Sequence, residues 1–166
     1  MKKVVKFGGS SLASAEQFRK VADIILAEES RRYVVPSAPG KRFSNDTKVT
    51  DMLYNCYALA EKGEPFGKEL QAIKDRYYEI ICGLGLDLSL EDEFAVIEQK
   101  FMDKAGKDYA ASRGEYLNGI VLANYLGFEF IDSATVIFFK EDGTLNDKKT
   151  QRVLSAKLAE TEHAVI

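Results

Sequence analysis

The 166-residue chain has no tryptophan, one histidine, two cysteines and three prolines. Each scarcity closes off a class of chemistry. With His163 as the sole imidazole, a Ser-His-Asp or Cys-His site, or a histidine-built metal centre, would hang on one residue near the C-terminus. The plainer reading of His163 is a loop histidine ahead of a strand. Cys56 and Cys82 lie far apart and make no C-x-x-C, so neither a redox motif nor a zinc knuckle is present. Both are expected as buried core thiols. Two thiols with no leader suit a reducing cytosol, which is the expected location. No apolar run approaches the ~20 residues of a membrane span, and Met1-Lys2-Lys3 leads straight into a strand rather than into a signal peptide. Positive charge is not in surplus either. Lys and Arg number 23 against 26 Asp and Glu, a net charge of -3, which leaves no footprint for nucleic acid or an anionic membrane.

What is there is globular. Hydrophobic residues make up 46% of the chain and charged residues 30%, and the length fits one domain or part of one. Lys3 to Phe7 is a short β-branched run that stops at Gly8-Gly9-Ser10-Ser11. Ser14-Ala-Glu-Gln17 then has the form of a capping box, and Phe18, Val21, Ala22, Ile25 and Leu26 recur at helical spacing behind it, as far as about Arg31. Tyr33-Val34-Val35 begins a second strand that runs out at Pro36-Ser37-Ala38-Pro39-Gly40. The opening is therefore β-α-β, the unit of parallel sheets.

A polar segment from Lys41 to Asp46 follows, after which Asp46 or Thr47 is expected to cap a helix carrying Val49, Leu53, Cys56, Tyr57 and Ala60. Further helices are predicted over Leu70–Cys82, from Ser89 through Phe101, and over Asp108–Leu126, the last stopped by Gly127 in a left-handed cap. Strands are predicted at Phe128–Ile131 and Thr135–Phe139, a short helix at Gln151–Leu158, and the start of a strand at Ala164-Val165-Ile166. The fold class that follows is α/β, an open and mainly parallel sheet with flanking helices and a helical insertion between Thr47 and Leu126.

Three segments carry candidate chemistry. Lys6-Phe7-Gly8-Gly9-Ser10-Ser11 joins a strand to a capped helix. Its paired glycines let a ligand approach the backbone, and its free N–H groups, the Lys6 ammonium and the serine hydroxyls suit an anion. The segment reads either as a phosphate cradle or as an ordinary strand-to-helix turn. Ser37-Ala38-Pro39-Gly40, followed by Thr50-Asp51, ends the second strand. In an open parallel sheet ligands sit at the carboxyl ends of strands, so both loops face one rim. By itself this second loop also reads as a Pro-Gly turn with Lys41 and Arg42 solvated. Ser112-Arg113-Gly114-Glu115 sits inside a helical pattern, where Gly114 costs ~1 kcal/mol against alanine and so calls for a packing or ligand reason. Glu115 suits a substrate ammonium or an exposed helical position. The named nucleotide motifs fail: Val35 stands where a Walker A loop needs its first glycine, and Leu88 where Gly83-Leu84-Gly85 would need its third.

Together, Lys6–Ser11, Val34–Ala38 with Val49-Thr50-Asp51, and Ser112–Glu115 with Phe130-Ile131-Asp132 resemble, in order and spacing, the aspartate kinases of the amino-acid kinase family. The resemblance implies transfer of phosphate from ATP to L-aspartate, giving 4-phospho-L-aspartate, the entry to lysine, threonine and methionine synthesis. It implies that Lys6, Gly8, Gly9 and Ser10 hold the transferring phosphate, with Lys6 catalytic. Ser37 then lies in the second loop, and Thr50 and Glu115 bind aspartate, with Glu115 meeting its ammonium. Thr47 stays open as the alternative to Thr50, because the loop from Lys41 to Asp46 is long. Mg²⁺ is expected to come with the nucleotide and not to be held by this lobe alone. Residues 1–166 are expected to be the N-terminal, amino-acid-binding lobe, truncated before the nucleotide lobe and the regulatory domains. Such a lobe is expected to be inactive and self-associating in isolation, and the full-length protein to be a homo-oligomer. A glutamate 5-kinase-like or nucleoside monophosphate kinase-like member, or a non-catalytic binding module, are the alternatives.

Overall fold

The computed structural model describes residues 1–166. Its elements run β1 (Lys3–Phe7), a 3-10 turn (Gly9–Leu12), α1 (Ala15–Leu26), β2 (Arg31–Pro36), α2 (Val49–Lys62), α3 (Gly67–Leu84), α4 (Glu91–Met102), α5 (Lys107–Leu126), β3 (Glu129–Phe130), α6 (Ser133–Val136), α7 (Asp147–Glu160) and β4 (Ala164–Val165). The four strands form one sheet in the order β1-β2-β4-β3, and every pair is parallel. The α/β class and the opening β-α-β unit are as expected.

Alternation along the strands sorts side chains onto two faces. Val34 and Val165 enter a core of 26 buried residues, against which Val5 and Phe7 also pack. This core holds the apolar faces of α1 to α5, where Tyr57 and Phe101 stack edge to face with ring centroids 5.3 Å apart. Tyr33 and Ala164 point the other way, into a cluster of four buried residues completed by Ile131 and Val136 beneath Val153, Leu154 and Leu158 of α7.

Helix ends follow local chemistry. Ser14 Oγ accepts the Gln17 amide at 3.4 Å, so the expected cap of α1 forms, although the helix ends at Leu26 and not near Arg31. Gly127 takes φ 69°, the left-handed stop expected for α5. Asp46 and Thr47 do not cap α2: its cap residue is Lys48, with no side-chain bond, because Asp46 is drawn away to two arginines. The strand expected at Thr135–Phe139 is not there. Asp132 Oδ1 accepts the Ala134 amide and starts the short helix α6. Thr150 Oγ1 accepts the Phe138 amide at 3.0 Å, and Phe139 pairs only with Leu145 in a single antiparallel bridge. Helix α7 starts earlier than predicted because Asn146 caps it. Of the two thiols, Cys56 is buried as expected, whereas Cys82 is exposed on the last turn of α3. No helix is long and apolar enough to cross a membrane.

Candidate functional site

The two glycine loops meet at the carboxyl ends of β1 and β2. Backbone bonds splice them together: the Ser37 amide donates to the Phe7 carbonyl at 2.9 Å, and the Gly40 amide to the Gly9 carbonyl at 2.8 Å. The approach is close enough to require glycine on both sides. A Cβ on Gly40 would lie 2.6 Å from the Gly9 carbonyl carbon, and one on Gly9 would lie 2.8 Å from the Ala38 oxygen. The Pro39 carbonyl accepts the Val49 amide at 3.1 Å, which fixes where α2 begins.

Helix α5 closes the arrangement from below. Gly114 has no room for a side chain, since a Cβ would meet that of Ala38 at 2.7 Å, and its carbonyl accepts the Tyr77 hydroxyl at 2.7 Å. Close packing is thus the reason for a glycine in mid-helix. Burial, and then the charge of Glu115, push the Tyr77 phenol well above its ordinary range, so it stays a donor. One turn on, Asn118 is fully buried and its Nδ2 donates to the Ser37 carbonyl at 2.6 Å, while Glu115 Oε1 accepts the Ala38 amide at 3.4 Å. Both side chains therefore grip one peptide unit of the second loop.

Between these parts lies an open cleft of about 470 Å³, lined by Gly9, Ser10, Ser37, Ala38, Pro39, Gly40, Lys41, Lys48, Thr50 and Glu115. It brings together five of the seven residues the sequence singled out. Lys6, in β1, and Gly8, just after its end, are both exposed and stand outside the lining. Lys6 alternates with Val5 and Phe7 and so belongs to the opposite, thinly covered face of the sheet. Thr50 faces the cleft, whereas Thr47 lines a separate cavity of about 480 Å³ between α2 and α3. Glu115 also borders a third hollow of about 230 Å³, with Ser112, Arg113, Tyr116 and Asp132. There Arg113 is held between the rings of Tyr109 and Tyr116, its guanidinium 4.6 and 4.5 Å from their centroids.

Chemically the cleft offers two exposed ammonium groups, three hydroxyls, glycine-rich backbone and one carboxylate. That set suits a small molecule carrying both negative and positive charge. Lys48 was not anticipated as a lining residue, nor Lys41 as more than a solvated charge. Asn118 was missed too, though its spacing of three from Glu115 on a helix was a usable signal. Cys56 is no nucleophile, since burial pushes its thiol up to about 12. No three carboxylate, histidine or cysteine side chains converge anywhere in the chain, and the cleft supplies a single carboxylate, so these residues do not fit a protein-held magnesium site.

A family model described as the amino acid kinase family matches residues 1–164. Aspartokinase 3 of Bacillus subtilis is 37% identical over 142 residues, covering 81% of this chain and 31% of that protein. Aspartokinase 1 of Arabidopsis thaliana, a chloroplast protein, is 33% identical over 133 residues, or 74% of this chain and 23% of its own length. Among solved structures, the aspartate kinase of Clostridium acetobutylicum superposes with a TM-score of 0.95 at 46% identity, over 100% of this chain and 38% of that one. Aspartokinase III of Escherichia coli, crystallised with aspartate and ADP, shares the fold at a TM-score of 0.78 and 22% identity, over 100% of this chain and 40% of that one. The chain thus spans between about a quarter and two fifths of the length of these relatives.

Proposed function

Because the chain belongs to the amino acid kinase family, we propose that it is the amino-acid-binding part of an aspartate kinase, which moves the terminal phosphoryl group of ATP to the side-chain carboxylate of L-aspartate. The cleft between the spliced glycine loops carries this reading. Aspartate presents two carboxylates and one ammonium, and the cleft presents two lysines, hydroxyls and backbone to the former and Glu115 to the latter. In the reaction a carboxylate oxygen of aspartate attacks the γ-phosphorus, the bond from that phosphorus to the bridging oxygen breaks, and ADP leaves.

Such a transfer asks the protein mainly to position the groups and to neutralise charge. Ser37, Thr50 and Glu115 hold aspartate. Gly9 and Ser10 offer backbone and hydroxyl donors to the moving phosphate, with Gly8 at the entrance of the loop. Lys6, free and exposed beside them, is the catalytic cation. Magnesium, when bound with the nucleotide, would offset phosphate charge. The nucleotide lobe and regulatory domains lie outside residues 1–166 in this reading, the full-length protein is a cytoplasmic homo-oligomer, and its product feeds lysine, threonine and methionine synthesis.

The test is calorimetric titration of the chain with L-aspartate, L-glutamate and a nucleoside monophosphate. L-Aspartate is expected to bind preferentially. Glu115→Ala is expected to weaken it by at least about tenfold, because the ammonium loses its charged partner. Preference for glutamate or the nucleotide would transfer the cleft to another member of the family. Unchanged affinity in Glu115→Ala would remove the ammonium contact.

A further inference from the structure

Arg76 is 3% exposed, on the inner face of α3 between Ile73 and Tyr77. Its Nη2 donates to the Gly40 carbonyl at 2.9 Å and lies 3.4 Å from Asp46 Oδ2. Its Nε and Nη1 are buried with no partner. Asp46 does not depend on Arg76 for its charge balance. Arg42 already clasps it through two side-chain bonds of 2.8 and 2.9 Å and a backbone amide bond of 2.9 Å, and also reaches Glu79 at 2.6 Å. A buried guanidinium with two unpaired nitrogens carries a desolvation cost that nothing offsets, and because Arg42 still pairs Asp46, an apolar side chain of similar length at position 76 leaves no carboxylate unpaired. The bond with a positional consequence is the one to Gly40.

Gly40 is the splice between the two loops. Its amide is given to Gly9 and its carbonyl to Arg76, while the neighbouring Pro39 carbonyl takes the first amide of α2. Arg76 lines the cavity behind the loop and not the cleft itself. We propose that Arg76 is a positioning residue: by holding the Gly40 carbonyl from behind, it sets the spacing between the Gly9-Ser10 loop and the Ser37-to-Thr50 side of the cleft, and so sets acceptor affinity without touching the acceptor. Asp46 steadies its guanidinium, and the clasp of Asp46 by Arg42 folds the intervening segment that delivers Lys48 and Thr50. The effect on acceptor affinity rests on the aspartate reading of the cleft, whereas the effect on the loop does not.

The experiment uses ¹⁵N-labelled chain as wild type, Arg76→Met and Arg76→Lys, with amide hydrogen exchange, thermal melting and L-aspartate titration on each. In Arg76→Met, exchange at Gly40 and Val49 is expected to speed up by about tenfold or more, as for the loss of a hydrogen bond to a charged donor. Core amides such as those of Leu117 and Val121 and the melting temperature should hold, and aspartate should bind about tenfold more weakly. Arg76→Lys should recover part of both effects, since an ammonium can still donate to the Gly40 carbonyl. Unchanged exchange at Gly40 in Arg76→Met would overturn the proposal, as would a parallel loss of protection across the core, which marks a merely structural residue. Faster exchange with unchanged aspartate affinity would overturn the link to the cleft. A wild-type chain blind to aspartate would count against the aspartate reading alone, and exchange at Gly40 would still decide whether Arg76 holds the loop.

Discussion

The two faces of the sheet are unequal. One supports 26 buried residues under five helices, and the other supports four under α7 and the single turn of α6. On the thin face β1 is barely covered: Val4 is 67% exposed, and Lys6 beside it is open to solvent. The thick face packs Gly114, Asn118 and Tyr77 beneath the cleft, while the thin face leaves Lys6 exposed. The division teaches that one alternation along the same four strands sorts a deep core to one side and an open surface to the other.

Perturbations on the two sides should differ in size. The largest effect is expected from Phe101→Ala. Phe101 is fully buried and packs against Tyr57, Phe66 and Tyr109, so its removal should cost about 3–5 kcal/mol in urea unfolding. Ile131→Ala, in the four-residue cluster, should cost about 2 kcal/mol, the low end for such a truncation, because so small a cluster can settle around the gap. An equal or larger loss for Ile131 would erase the contrast. The smallest effect is a matter of pH. Glu129 on β3 is held below its ordinary value of 4.5 by the Lys157 ammonium on α7 and then by the Thr161 hydroxyl. A carboxyl lowered on folding contributes fully above its ordinary value, and its contribution fades as pH falls through the lowered one. Protection against hydrogen exchange in α7, taken relative to the intrinsic exchange rate at each pH, should therefore fall with acid before protection in α5 does. Simultaneous loosening of both helices would blunt the comparison.

Much of this was legible in the residues. The opening β-α-β unit announced itself through β-branched runs and the Ser14 cap, and the four long helices through their apolar spacing. Thr135-Val136-Ile137-Phe138-Phe139 misled, because intrinsic preference says strand there. Asp132 turns the chain into a helix first, and Thr150 then occupies the Phe138 amide, leaving the run no ladder to join. At the cleft, Gly9, Ser37 and Glu115 stood out by their neighbours in sequence. Arg76 did not, because its meaning lies in a carbonyl 36 positions away and in an ion pair with a loop that looked merely solvated. An arginine on the apolar stripe of α3 was the available signal.

Strand order also has a clock in it. Glu129 and Phe130 pair only with Ala164 and Val165, which slot between them and β2. As the chain is synthesised, β3 leaves the ribosome with no neighbour, and residues 131–165 take roughly 2–7 s to follow at ~5–20 residues per second. By then the opening β-α-β unit and the helices from α2 to α5 have all their sequence in hand. Within residues 1–166, Ala164 and Val165 are the last strand to be made, and they must enter between β2 and β3 after both of those strands exist.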